Sequence, residues 1–279
     1  MFSKKIAITG TTGGLGREVA YNLASKGYNM VFVDRNLEKS KKLANEILEK
    51  YPDITIENVT VDMMSIESVK EGIEKLEKID FDTLILNAGI FNIPLVQTQD
   101  GHLNVFQVNF ISQYYLARQL CERKKVKKVI AVGSIAHFMA KLDENDVEYS
   151  KKKSQMKIYG NSKRFLMFSL FEYFKNSKTQ FAVAHPGITS TNMTTHYPKW
   201  INWFIKFMMK ILFNSPKKTC KNIVEAIETD CDYFEWVGPR AFNIWGKPKK
   251  KKLKIKNVVE IEKISNIADQ LYKKQKADV

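Results

Sequence analysis

The sequence predicts a single α/β domain built on a doubly wound parallel sheet. Three observations carry this expectation. Short apolar runs alternate along the chain with longer amphipathic stretches. The runs are continuously apolar, as strands covered on both faces are. A glycine-rich turn, "TGTTGGLG", separates the first run from the first helix. Right-handed crossovers then leave the doubly wound sheet as the natural topology.

The elements follow in order. "KIAITG" is the first strand and leads to a helix over 15–26; "NMVFVD" leads to a helix over 37–50. "ITIENVTVD" precedes a helix over 65–78, and "DTLILNAG" runs through a loop to a helix over 103–122. "KKVIAVGS" precedes a loop and the helix carrying "YGNSK"; "QFAVAHPG" closes the series, with a short strand near "FEWVG". There is no internal repeat and no linker rich in proline or glycine, so 1–246 reads as one domain. Residues 247–279 read as a basic linker and a C-terminal helix.

The 279 residues are 44% apolar, enough for a substantial core. The formal charge of +15 raises nucleic acid or an anionic membrane as partners. Only six of the 45 basic residues are arginine (Arg17, Arg35, Arg118, Arg123, Arg164, Arg240), and lysine is spread through most helices. Specific nucleic-acid readers lean on arginine's planar fork, so nucleic acid is disfavoured. Cys121, Cys220 and Cys231 have neither metal-ligand spacing nor an even count, which fits a reducing compartment. The N-terminus enters a strand almost at once, leaving no room for a signal peptide, and no apolar run is long enough to span a bilayer. A cytoplasmic location is expected, with association on the cytosolic face of a membrane as its variant. His102, His137, His185 and His196 are too scattered for a metal site and read as loop or pocket-edge residues.

The turn after the first strand has the context of a dinucleotide fingerprint. Gly10 permits the tight turn, Gly14 lets backbone approach a pyrophosphate, and Gly16 allows close helix–strand packing. The helix N-terminus adds free N–H groups and partial positive charge. Asp34 ends the second strand, where a carboxylate can accept from a ribose 2′-hydroxyl and repel a 2′-phosphate; Arg35 beside it would do the reverse. In "YGNSK", Tyr159 and Lys163 are one helical turn apart. A surface pair in a lysine-rich chain has the same spacing. On a helix facing a cofactor, the ammonium would lower the phenol's pKa from its usual value of about 10.

"TGTTGGLG" with "YGNSK" resembles the short-chain dehydrogenase/reductase family, and four further stretches extend the likeness over about residues 4–195. They are "LNAG", "FQVNFISQYYL", "VIAVGS" and "HPGITSTNM". The resemblance implies a Rossmann-fold oxidoreductase interconverting an alcohol and a carbonyl with a tetrad of Ser134, Tyr159, Lys163 and Asn109. Tyr159 would be the acid–base residue, Ser134 a donor to the substrate oxygen, and Asn109 the holder of a water relaying protons to Lys163. It implies cofactor contacts from Thr9, Gly10, Thr12, Gly14, Leu15, Gly16, Asp34, Arg35, Asp62, Asn87, Ala88, Gly89, Tyr159, Lys163, Pro186, Gly187, Ile188 and Thr191. The cofactor is NAD or NADP, with Asp34 favouring NAD; the family needs no metal. The long stretch between Ser134 and Tyr159, with "SPKKTCKNIVEA" and "VGPRAFNIWGKP", is similar to the retinol-dehydrogenase-like and WW-domain-oxidoreductase-like branch. Members pair through the helices that here carry Asn109 and Tyr159, which implies a homodimer. A non-catalytic dinucleotide sensor or membrane-associated scaffold on the same fold is the competing reading.

The resemblance places a substrate cap near 192–218. Within it, "KWINWFIKFMMKILFNSPKK" would form a helix with one narrow polar stripe of Lys199, Asn202, Lys206, Lys210, Asn214 and Lys217. Such a helix either packs over the active site or lies in a membrane interface, with 247–256 adding attraction to anionic lipid. Either way the pocket wall is apolar, which favours a bulky lipophilic alcohol or carbonyl substrate.

Overall fold

Continuously apolar runs need cover on both faces, and they receive it: Met30, Val31, Phe32 and Val33 are each at most 1% exposed. The structure, a computed structural model, describes residues 5–123, 126–152, 154–187, 215–255 and 257–277. Its strands are β1 (Lys5–Thr9), β2 (Asn29–Asp34), β3 (Ile56–Thr60), β4 (Thr83–Leu86), β5 (Lys128–Val132), β6 (Gln180–Ala184), β7 (Glu235–Ala241) and β8 (Trp245–Lys252). They form one sheet in the order β3-β2-β1-β4-β5-β6-β7-β8, parallel throughout except for the last pair. The strand order reverses between β1 and β4, and a crevice opens beyond their carboxyl ends.

The described helices are α1 (Gly14–Ser25), α2 (Leu37–Leu48), α3 (Ile66–Glu77), α4 (Asn104–Phe106), α5 (Ser112–Arg123), α6 (Gln155–Phe174), α7 (Pro216–Glu228) and α8 (Val258–Ala277). Residues of α1, α2 and α7 build one core, around Ile8, Leu23, Ile47 and Ile223. Those of α3, α5, α6 and α8 build the core on the other face, around Leu84, Phe106, Phe165 and Ile264. The helix expected over 103–122 is interrupted: a π-helical turn, Gln107–Ile111, joins α4 to α5 and carries Asn109. Asn36, Ser65 and Ser154 cap α2, α3 and α6 with side-chain oxygens. The N-terminus of α1 has no side-chain cap and no acidic residue in its first turn.

One expectation needs correction past residue 235. The basic segment is no linker: Trp245–Lys252 pairs antiparallel with β7 as the edge strand. Hydrogen bonding to β7 overrides the low strand propensity of lysine, and an edge position lets the ammonium groups stay in water. The C-terminal helix is present as expected, and it packs into the fold. It lies on α5 and α6, with Asp269 bonded to Tyr114 and Arg118, Tyr272 to Gln119, and Glu260 to Arg164 at 2.7 Å. These are the helices through which the resemblance would pair two copies. The cap segment over 199–214 and residues Ile188 and Thr191 lie outside the described residues.

Candidate active site

The glycine turn divides its labour by what surrounds each residue. Gly10 has φ +72°, and a Cβ there would lie 2.8 Å from the Ala88 Cα. A Cβ on Gly16 would lie 2.1 Å from the Gly10 carbonyl oxygen. Both positions are glycine because the backbone is packed against them. A Cβ on Gly14 would meet nothing within 4 Å, so that side is open at the mouth of the uncapped α1 N-terminus. Thr12 and Gly13 are exposed on the same turn. This concave, donor-rich backbone fits a pyrophosphate.

Three residues expected on the cofactor prove to be braces of that turn. The Thr9 hydroxyl is fully buried; it accepts from the Asn87 and Ala88 amides at 2.9 Å and faces Gln113 Oε1 at 3.2 Å. Asn87 Nδ2 donates to the carbonyls of Thr9 and Gly10 at 3.0 and 2.9 Å. Asp34 is 3% exposed, and its oxygens accept from the Thr11 and Ser40 hydroxyls, the Thr12 amide at 3.2 Å and the Thr12 hydroxyl at 3.4 Å. Arg35 beside it is exposed. Asp62, two residues past the end of β3, is half-buried, one oxygen accepting from the Met64 amide at 2.9 Å. Apart from the local Asp34–Ser40 contact, the side-chain bonds of Thr9, Asn87 and Asp34 are not legible in the sequence because they join residues 22 to 104 positions apart.

The tetrad residues converge at the carboxyl ends of β4 and β5. Ser134 follows β5 and caps a short 3-10 turn, accepting from the Ala136 amide at 3.2 Å. Tyr159 sits early on α6, its ring edge-on to Phe91 at 5.0 Å between centres. Lys163, 2% exposed, donates to the Val132 carbonyl at 2.9 Å. Its Nζ lies 3.5 Å from where a Cβ on Gly89 would stand, so the "NAG" turn is glycine at the point where it meets the ammonium. Asn109 on the π turn accepts from the Ile90 amide at 2.7 Å and donates to the Ile90 carbonyl and the Ser162 hydroxyl. Its side chain therefore clamps the loop after "NAG", with both N–H donors used and one acceptor position on Oδ1 left.

The electrostatics also depart from expectation. Burial pushes the Tyr159 phenol up to about 12, opposed by its hydrogen bond with Ser134. Burial brings Lys163 down to about 8. The ammonium sits 5.9 Å from the tyrosine ring centre and is turned to a backbone carbonyl, so desolvation outweighs its pull on the phenol. His137 and His185 are core residues, not pocket edge. His185 stacks on Trp236 at 5.2 Å and donates to the Asn243 carbonyl; His137 donates to the Ser134 carbonyl and meets Trp236 edge-on. Burial holds both imidazoles down to about 4, hence neutral. His102 is bound by Glu148 at 2.6 Å and by Gln275 of α8; His196 lies outside the described residues.

Residues 4–202 match the family model described as short chain dehydrogenase. Retinol dehydrogenase 13 from Mus musculus is 27% identical, the match covering 77% of this chain and 68% of that protein. Polyprenol dehydrogenase from Homo sapiens is also 27% identical, over 74% of this chain and 65% of its own length. Retinol dehydrogenase 12 from Homo sapiens is 29% identical, over 86% and 81%. Among solved structures, a protein from Mycobacterium paratuberculosis superposes with a TM-score of 0.76 at 22% identity, covering 98% of this chain and 94% of that one. A short-chain dehydrogenase from Sphingobium yanoikuyae in complex with NADPH gives 0.61 at 18%, covering 81% and 84%. At these identities the structural likeness speaks for the fold.

The different surroundings of the glycines give a testable contrast. Gly16→Ala forces backbone apart and is expected to destabilise the fold by about 2 kcal/mol or more, read by denaturant unfolding. Gly14→Ala should unfold like the parent yet bind dinucleotide roughly tenfold more weakly in a fluorescence titration.

Proposed function

The chain belongs to the short-chain dehydrogenase family, and from that premise we propose that it reduces and oxidises a bulky apolar carbonyl/alcohol pair with the tetrad Ser134, Tyr159, Lys163 and Asn109. The observation that carries this reading is the convergence of Ser134, Tyr159 and Lys163 beside the open glycine turn. The Thr12–Gly14 backbone and the α1 N-terminus would hold the pyrophosphate. Lys163 would take the nicotinamide ribose, since a buried ammonium bonded to one carbonyl at 2.9 Å has donors to spare. Pro186 and Gly187, past the end of β6, would flank the nicotinamide. When bound, the nicotinamide supplies the hydride.

The protein's own groups manage the oxygen and its proton. Ser134 donates to the substrate oxygen as negative charge develops there. Tyr159, hydrogen-bonded to Ser134, lies beside that position and protonates the oxygen. A phenol held near 12 is protonated in all but about one molecule in 10^5 at neutral pH, which suits the reductive direction. Asn109 contributes by fixing the loop through Ile90 against α6. The apolar substrate class rests on the aromatic and methionine-rich sequence over 200–214 and on relatives whose names specify retinol and polyprenol.

For the cofactor's adenosine end we propose NAD over NADP. Asp34 is a fixed negative charge, and a 2′-phosphate would have to approach it. A ribose 2′-hydroxyl need only displace the Thr12 hydroxyl, whose 3.4 Å contact is the longest of the four.

Three measurements test this reading. Tyr159→Phe should lower turnover at least about 10^2-fold while leaving dinucleotide affinity within a factor of two; unchanged turnover would remove Tyr159 from the chemistry, and dinucleotide binding with no turnover in the parent would favour the scaffold reading. Lys163 carries its charge only below about pH 8, so kcat/KM should fall as pH rises through that value. Lys163→Arg should abolish that limb, because guanidinium does not titrate there. Side-by-side titrations should show tighter NADH than NADPH binding, and Asp34→Asn should shift the ratio toward NADPH by about tenfold.

A further inference from the structure

The flank formed by α7, β7 and β8 sorts its charges by sheet edge. Strand β7 runs parallel to β6, so Ala241 lies at the carboxyl edge, where the crevice opens. Helix α7 runs the opposite way. Lys128 at the start of β5 donates to the Ile227 and Thr229 carbonyls at the helix's far end, and Asn222 donates to the Pro186 carbonyl. At the carboxyl edge the stretches 215–222 and 238–249 hold Lys217, Lys218, Lys221, Arg240, Lys247 and Lys249 and no acidic residue. None of these six side chains is in an ion pair among the described residues. Glu18 of α1 lies beside Cys220 and offsets one of the charges. The flank's own acids, Glu225, Glu228, Asp230, Asp232 and Glu235, all lie toward the other edge, where Glu228, Asp230 and Glu235 meet Lys26, Lys128 and Lys250.

In the middle of the basic edge stands the tip of the β7–β8 hairpin. Phe242 is 86% exposed and Trp245 38%. Phe242 and Asn243 both adopt left-handed backbone, φ 49° and 58°, which a bulky aromatic rarely does. The tip is held rigidly: His185 binds the Asn243 carbonyl, Lys251 binds the Asn243 side chain, and the Ile244 carbonyl abuts Gly187. The fold thus keeps a strained phenylalanine in water on the same sheet edge as these lysines, which are in no ion pair among the described residues.

We propose that this hairpin tip docks the protein on a bilayer surface containing anionic phospholipid. Phe242 enters the headgroup boundary while Lys217, Lys218, Lys247 and Lys249 reach lipid phosphates. An aromatic tip with lysines on the same sheet edge matches the chemistry of that interface, apolar below and anionic above. No described helix is long and apolar enough to cross a membrane. The docking is independent of turnover and therefore of the enzymatic reading.

The test is cosedimentation of the full chain with vesicles of phosphatidylcholine alone or with about one third phosphatidylserine. At about 0.1 M salt, binding is expected only to the anionic vesicles and should fade at several-fold higher salt. Lys247→Glu with Lys249→Glu should weaken it at least about tenfold, each lysine near the surface being worth about fivefold. Phe242→Ser should weaken it several-fold at constant charge, with thermal melting confirming the fold of every variant. No preference for anionic vesicles would overturn the proposal. So would binding that these variants leave untouched, which would assign it to another segment. Binding that loses strength with the lysines but not with Phe242 would also overturn it, in favour of a soluble polyanion, and competition by an oligonucleotide would identify that case.

Discussion

The site depends on one close approach of backbone to backbone, where the turn after β1 passes the turn after β4. Gly10 stands so near Ala88 that no side chain fits between them. The contact is locked from three sides: Thr9 bonds both amides of the "NAG" turn, Asn87 returns two bonds to the glycine turn, and Gln113 donates to the Ala88 carbonyl at 2.7 Å. Buried polar groups cost several kcal/mol when unpaired, so such a network tolerates few alternative arrangements. The crevice lies where strand order reverses, and this network gives its two lips a fixed separation.

The second lip then sets the catalytic groups. Asn109 grips Ile90 through both amide atoms and reaches Ser162 on α6. The π turn has a mechanical purpose here: an extra residue in one turn re-aims a side chain that a regular helix would direct elsewhere. Lys163 sits between that clamp and the Val132 carbonyl with almost no exposure to water. A buried ammonium near a buried phenol means that neither charge is comfortable before a ligand arrives. Desolvation keeps Tyr159 protonated and draws Lys163 toward neutrality, and the simple picture of a lysine depressing a tyrosine fails at that step.

What was legible in the sequence follows from the range of the interactions. Strand runs, the glycine turn and the one-turn spacing of Tyr159 and Lys163 are local patterns, and the fold class follows from them; Ser134 and Asn109 enter only through the family resemblance. Thr9, Asn87 and Asp34 are expected beside a cofactor from their places along the chain; that they also brace the glycine turn rests on bonds to partners 22 to 104 positions away, which no local pattern shows. His137 and His185 were misread for the same reason. His185 looks like a loop residue after a strand, and only the arrival of Trp236 from β7 turns it into core. The lysine run of β8 defeats propensity reasoning altogether, since a hydrogen-bonded neighbour and not composition makes it a strand.

The C-terminal helix shows why the residues beyond the resemblance matter to the site. The stretch linking Ser134 to Tyr159 is long, and its fold leans on α8. Glu260 accepts from the Leu142 amide at 2.7 Å and pairs with Arg164, one residue after Lys163; Lys263 pairs with Glu144 at 2.6 Å. Further along, Gln275 meets His102, whose other nitrogen is bound by Glu148 of the same stretch. The Arg164–Glu260 pair is nearly buried on both sides, and breaking such a pair by removing one partner costs about 3 kcal/mol or more. Helix α8 therefore holds the connection between the serine and the tyrosine from outside, while the β1–β4 network holds the cofactor side from within.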